Sequence, residues 1–135
     1  MIENQEIDYS KLSEILAETE EPAFFKCFFN GTALRSLKAE NAVFNDCKMS
    51  NIDFSYSDFN GAVFRNCDLN NCNFNGCRLF DAKFENCKLS GSDFSDTSNL
   101  NCEFEQCQLC YCFMPCFNFK KLTLRELNFN GAELN

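Results

Sequence analysis

A large apolar residue returns every five positions through most of this chain. Phe44, Phe54, Phe59, Phe64, Leu69, Phe74, Leu79, Phe84, Leu89 and Phe94 mark the clearest run. In strict phase such centres extend from Phe24 to Leu134, 23 units without an insertion, and only Ala39 and Asn99 fail to be large and apolar. A period of five is neither the 3.6 of a helix nor the 2 of a strand. Each unit must hold one short extended stretch and one turn. Two residues before each centre lies a second inward position, small in most units, as at Cys27, Ala42, Ser57, Ala62, Cys72 and Cys87. Two residues after each centre, Gly, Asn or Asp fills 14 of 22 places, and these residues best tolerate left-handed or turn geometry. The pairs Asn30-Gly31, Asn60-Gly61, Asn75-Gly76 and Asn130-Gly131 all fall in one phase. Scattered hairpin turns would not keep that phase, so the turns belong to the repeat itself.

The pattern small-x-(Phe/Leu)-x-(Asn/Asp/Gly) runs unbroken through "CDLNNCNFNGCRLFDAKFENCKLSGSDFS", residues 67–95. It resembles the pentapeptide-repeat family. That resemblance implies an all-β solenoid, a right-handed quadrilateral β-helix with four units per coil. A coil of four units has 20 residues, and the sequence tests it. Every twentieth centre reads Phe24, Phe44, Phe64, Phe84, Phe104, Leu124, and the neighbouring small column reads Cys27, Cys47, Cys67, Cys87, Cys107, Leu127. Period five alone does not require such uniformity; stacked coils do. Phe44, Phe64, Phe84, Phe104, Cys47, Cys67, Cys87 and Cys107 are thus expected core residues. Counting 23 units by fours gives nearly six coils, a rod roughly 28 Å long at ~4.8 Å per coil.

The ends differ from the middle. "DYSKLSEILAETEE", residues 8–21, breaks the repeat, and Leu12, Ile15 and Leu16 share one helical face. A short helix covering the first coil is expected, capped by Asp8 or Ser10, with Phe25 and Phe28 beneath it. The alternative is a disordered acidic tail. The expected division is an acidic N-terminal segment at 1–22 and a β-helix at 23–135. At the other end the small inward position becomes large, as Phe117, Leu122 and Leu127. An unpaired last coil is an open β edge, and members of the resembled family commonly pair through this end. A homodimer is expected there, with Phe113, Phe117, Leu122, Leu127, Phe129 and Leu134 at its interface.

The densest cysteine stretch, "NCEFEQCQLCYCFMPC" (101–116), invites a metal or redox reading. The register argues otherwise. Nine of the 11 cysteines occupy the small inward position, where a free thiol is a small buried hydrophobe. Only Cys110 and Cys116 fall outward, so Cys107 and Cys110 cannot converge on one ion. The stacked thiols fit disulfide geometry poorly. Asn99 is the one polar centre; either it finds hydrogen-bond partners or the chain bulges to turn Leu100 inward. Phe80, Leu100, Tyr111 and Phe113 are expected outside.

Composition then narrows function. There is no His among 135 residues, so the commonest general base and metal ligand is missing. No G-x-x-x-x-G-K phosphate loop is present. No enzyme, cofactor or metal is expected. Residues 1–21 carry seven acids and one base, a net of −6, against −8 for the whole chain. No Lys/Arg stripe exists to neutralise phosphates, so direct nucleic-acid binding is not expected. No apolar run reaches the length of a membrane span. With no apolar leader and an odd cysteine count, a reduced cytoplasmic chain is expected. Arg65, Glu85, Glu105 and Arg125 form one expected charge ladder; Lys48, Asp68 and Lys88 form another. One face of the rod keeps an uncompensated charge of −3, from Asp53, Asp93, Asp96 and Glu133 against Arg35.

Some members of the resembled family imitate B-form DNA and act on gyrase or topoisomerase. The resemblance therefore implies a non-catalytic inhibitor or modulator of a DNA-acting enzyme, with the four carboxylates as partner-binding residues. An inhibitor, of phage type, of a host defence complex that binds nucleic acid would use the same physics. The alternative is an interaction scaffold with no DNA-related target.

Overall fold

The computed structural model describes residues 1–117 and 124–135. Leu122 lies outside them. The strands are β1 (Ile2–Glu3), β2 (Glu6–Ile7), β3 (Ala23–Phe25), β4 (Phe28–Phe29), β5 (Val43–Asn45), β6 (Val63–Arg65), β7 (Lys83–Glu85), β8 (Glu103–Glu105) and β9 (Leu124–Arg125), with one helix, α1 (Tyr9–Glu18). From β3 to β9 all neighbours are parallel and each register step is 20 residues: Phe24↔Phe44↔Phe64↔Phe84↔Phe104↔Leu124. Those five steps are five full turns. The other three sides are tied by backbone bridges at the same interval, for example Lys48↔Asp68, Asp53↔Asn73 and Asp58↔Arg78. The result is the four-sided β-solenoid that the repeat implies. The register from Phe24 to Leu124 accounts for five turns, and the bridge Phe113↔Glu133 carries the stack into a further partial coil.

The corners follow from the Asn/Asp/Gly position. Asn41, Asn51, Asn71 and Asp81 all have φ near +60°, the left-handed region those side chains tolerate. Where Ala62 N donates to Phe59 O at 2.9 Å and Cys77 N to Phe74 O at 3.0 Å, the corner has the signature of a type II turn. Gly76 is needed for a second reason. A β-carbon there would sit 2.6 Å from the Tyr56 ring, which lies across it from the coil before.

The core is a stack of rings. Phe24, Phe44, Phe64, Phe84 and Phe104 are fully buried. Their centroids lie 4.8–5.1 Å apart with planes within 8° of parallel. A second column, Phe54, Phe74 and Phe94, meets the first edge-on, with Phe84 and Phe94 at 6.1 Å and 90°. Both arrangements suit the ring quadrupole.

The inward cysteines do more than fill space. Successive coils leave the carbonyl of one centre facing inward, and the thiol 23 residues later donates to it. Cys67 Sγ reaches Phe44 O at 3.3 Å, Cys72 reaches Met49 O at 3.0 Å and Cys112 reaches Leu89 O at 2.8 Å. Where the small residue is serine, the hydroxyl does the same and also accepts: Ser92 Oγ donates to Leu69 O at 2.8 Å and takes Cys72 N–H at 3.0 Å. Cysteine and serine are thus preferred over a purely apolar filler because buried carbonyls need donors.

The N-terminal end holds the main surprise. Residues 2–7 form half of an additional coil. β1 pairs in parallel with β3 (Ile2↔Phe24) and β2 with β4 (Ile7↔Phe29). Ile2 and Ile7 are five apart, like any two centres, but the step to the next coil is 22 residues rather than 20. Cys27 reflects the same two-residue shift: its thiol reaches Ile2 O, 25 residues back, at 3.4 Å. The ladders therefore cross residue 22, the expected division of the chain. α1 completes this coil. Asp8 Oδ1 caps it by accepting Lys11 N–H at 2.9 Å, so Asp8 and not Ser10 is the cap. Leu12 is buried, and Ile15 and Leu16 pack against the core. The expectation for Phe25 and Phe28 is corrected. β1 and β2 occupy that side, α1 borders a surface cleft with Ser36, Leu37 and Lys38 instead, and Phe28 stays half exposed.

Asn99 takes the first of its two expected routes. It is half-buried, its Nδ2 donates to Thr97 Oγ1 at 3.0 Å, and Leu100 remains outside.

Candidate interaction surface

Function on such a rod lies in the outward side chains, which the coils set at fixed intervals. Asp53, Asp93 and Glu133 share one column, which reads Ala33, Asp53, Asn73, Asp93, Phe113, Glu133 through its backbone bridges. Asn73 and Phe113 interrupt the carboxylates. Asp53 is spoken for: its Oδ2 meets Arg35 Nε at 2.6 Å and its Oδ1 accepts Ser55 N–H at 2.9 Å. Partial burial pushes its pKa up, but the hydrogen bonds from Ser55 and Arg35 outweigh that and hold it below the usual carboxylate range. Asp93 Oδ1 accepts Ser95 N–H at 2.8 Å, closing a turn. Asp96 stands at an exposed corner with φ +54°, and Glu133 is exposed on the last coil. Among the described residues no salt bridge forms to Asp93, Asp96 or Glu133 on this face.

Among the described residues the Arg65–Glu85 step of the first expected ladder forms, and the Arg125 side chain lies outside the description. Arg65 Nε meets Glu85 Oε2 at 2.8 Å, and Lys83 Nζ bridges Glu85 at 2.9 Å and Glu103 at 3.6 Å. The Lys83 ammonium and the Arg65 guanidinium draw the Glu85 pKa down. Lys83 is not among the expected members; it stands two residues before Glu85 in the neighbouring outward column of the same strands, Val63, Lys83, Glu103, and that alternation was the available signal. Asp68 turns back to its own corner, its Oδ1 accepting Asn70 N–H at 3.1 Å, and among the described residues the Lys48–Asp68–Lys88 column makes no salt bridge. Exposed pairs of this kind stabilise little.

The strongest charge feature is axial. Glu3, Glu6, Asp8, Glu14, Glu18, Glu20 and Glu21 are all exposed, and the half coil and α1 gather them at one end of the rod. Sequence counting located this acidity in the chain but not in space, because the period-five signal of Ile2 and Ile7 is out of phase with the rest.

At the opposite end Leu127, Phe129 and Ala132 are half-buried against the core and Leu134 is exposed. Phe113 is exposed on the adjoining face. Phe117, grouped with the interface from its sequence position, belongs to the core: it is buried and meets Phe94 edge-on at 5.9 Å.

The cysteines are free thiols. Cys107 is buried with its thiol on Phe84 O at 3.4 Å, Cys110 is half-buried and Cys116 exposed. Burial pushes the Cys72, Cys77 and Cys112 thiols up to about 12, so they stay protonated and unreactive at neutral pH. A bulky thiol reagent at pH 8 is expected to modify Cys110 and Cys116 in the folded protein and all 11 cysteines after denaturation. Rapid loss of Cys67 or Cys87 in the folded state, followed by mass spectrometry of peptides, would contradict this register. Among the described residues no helix is long and apolar enough to cross a membrane, and no three acidic or cysteine side chains are placed to hold a metal.

The family model for a pentapeptide repeat region matches residues 17–94. Among solved structures, the chain is similar to trypsin-treated QnrB1, a plasmid-mediated fluoroquinolone resistance protein: TM-score 0.69, 13% identity, covering 99% of this chain and 88% of that one. It also matches HetL from Nostoc sp. strain PCC 7120, a pentapeptide repeat protein involved in heterocyst differentiation regulation, with TM-score 0.49 and 13% identity over 84% of this chain and 60% of that one. No curated protein matches the sequence. The family model spans 78 residues, more than half of the 135, and with the 20-residue parallel register it places the chain in the pentapeptide-repeat family.

Proposed function

We propose that this protein is a non-catalytic binding protein that inhibits or modulates a DNA-acting enzyme by presenting carboxylates where the enzyme expects phosphates. The observation that carries the reading is a regular rod whose excess charge is negative and displayed at fixed spacing, on Asp93, Asp96 and Glu133 and at the acidic N-terminal end. Enzymes that hold duplex DNA do so with basic grooves, and a rod of this charge competes for such a groove. The fold it shares with a fluoroquinolone resistance protein makes gyrase and topoisomerases the first targets to assay. An inhibitor of a host defence complex that binds nucleic acid remains within the same physics. The C-terminal edge, with Leu127, Phe129 and Leu134 partly uncovered beside Phe113, is proposed to pair two copies and double the length of the charged rod. The second reading is an interaction scaffold with no DNA-related target, favoured by the apolar pair Phe80 and Leu100, which follow one another in the same outward column.

One experiment separates the two. The triple variant Asp93→Asn, Asp96→Asn, Glu133→Gln is expected to weaken capture of the target by on the order of tenfold and to flatten its salt dependence. Asp53→Asn serves as the comparison, because Arg35 already masks that charge. Duplex DNA should displace the protein from its target. Capture that survives the triple variant, high salt and excess duplex DNA would assign the surface to the scaffold reading.

A further inference from the structure

The four Asn-Gly pairs share one repeat phase but not one chemical fate. Asparagine followed by glycine can convert itself. The glycine amide nitrogen, losing its proton, attacks the asparagine Cγ; a C–N bond forms, ammonia leaves and a cyclic succinimide results. Water then opens the ring to aspartate or isoaspartate. The reaction needs a free glycine N–H and a side-chain amide able to swing towards it.

The interior coils withhold both. Gly61 N–H donates to Phe80 O at 2.8 Å, and Asn60 Oδ1 accepts Phe80 N–H at 2.8 Å. Gly76 N–H donates to Ser95 O at 2.9 Å, and Asn75 Nδ2 donates to Ser95 Oγ at 2.5 Å. Nucleophile and electrophile are each fastened to the next coil. At Asn30-Gly31 the glycine N–H has no acceptor among the described residues, but the Asn30 amide is held by Glu6 Oε1 at 2.7 Å. At Asn130-Gly131 neither group is held among the described residues. Gly131 N–H has no acceptor among the described residues. Only the Asn130 backbone is tied, its N–H to Asn128 Oδ1 at 3.0 Å and its carbonyl to Tyr111 N at 2.9 Å. Asn130 is exposed.

We infer that Asn130 is a site of spontaneous succinimide formation, with Asn30 slower because Glu6 tethers it, and that Asn60 and Asn75 are protected by the coil ladder. Conversion at Asn130 adds a carboxylate to the C-terminal coil. Its isoaspartate form routes the backbone through the side chain, which spoils the corner that Tyr111 and Asn130 share. The proposal does not depend on the DNA-mimic reading; it concerns the unpaired C-terminal edge, so the incubation is run at a dilution where the chain is a monomer, because pairing two copies through that edge would cover Asn130-Gly131.

The test is to incubate the full chain under mildly alkaline conditions, in native buffer and in urea, and to follow each Asn-Gly peptide by mass spectrometry and by labelling with an isoaspartyl methyltransferase. In native buffer the Asn130 peptide should convert at least tenfold faster than those of Asn60 and Asn75, with Asn30 between. In urea all four should convert at similar rates. Asn130→Gln should remove the fast native signal. Asn130 converting no faster than Asn60 and Asn75 in native buffer overturns the proposal. So does the same ranking in urea, which would trace it to local sequence rather than to the coil.

Discussion

Phe84→Ala is expected to lower the unfolding free energy by about 3–5 kcal/mol. Phe84 is fully buried, with parallel rings at 4.8 Å (Phe64) and 5.1 Å (Phe104) and edge-on rings at 6.0 Å (Phe74) and 6.1 Å (Phe94). Its loss opens a cavity that the neighbours cannot close, because the parallel backbone on either side fixes their height. A solenoid also has no second core to lean on: each coil is stabilised only by the coils above and below it. The control is Phe113→Ala. That ring is substantially exposed, and its removal should stay within ~0.5 kcal/mol. Urea denaturation of the two variants beside the parent supplies the comparison. A second transition in Phe84→Ala would mean that the rod has split there into two cooperative units. Equal losses for the two variants would show that the ring column does not hold the rod together.

The same column explains why so much of the fold was legible. Each centre meets an identical residue 20 positions on, so the periodicity read from the chain is the periodicity of the contacts themselves. The inward thiols, the turn position and the five register steps follow from it. What the period did not carry was anything dependent on phase or direction. Ile2 and Ile7 obey the repeat, but the 22-residue step hides them, because a helix spans the difference. The repeat phase turns Phe25 and Phe28 outward beneath the expected helix, whereas the additional half coil takes that side. The candidate surface was legible only as a list of charges. That Arg35 cancels Asp53, that Asp68 closes its own turn and that Lys83 joins Glu85 depend on side-chain directions at the corners. A count by face sums charges but does not show which carboxylates other side chains already meet.

Leu12→Ala is expected to cost about 2–5 kcal/mol at the N-terminal end, with a loss of a different kind from that at Phe84. Leu12 is the one fully buried residue of α1, the point where the helix is fastened over the first complete coil. A ten-residue helix is not stable alone in water, so weakening this contact releases α1 rather than merely loosening it. β1 and β2 are two residues each and follow the helix. The central coils keep their own neighbours and should stay folded. Amide hydrogen exchange should therefore lose protection over residues 2–18 and at the β3 and β4 amides beneath them, while β6 and β7 remain protected. The uncovered first coil would then be an open edge, and the variant should self-associate with rising concentration where the parent does not at that end. A uniform loss of protection along the whole rod would show that the solenoid folds as one unit and that the cap cannot be separated from it.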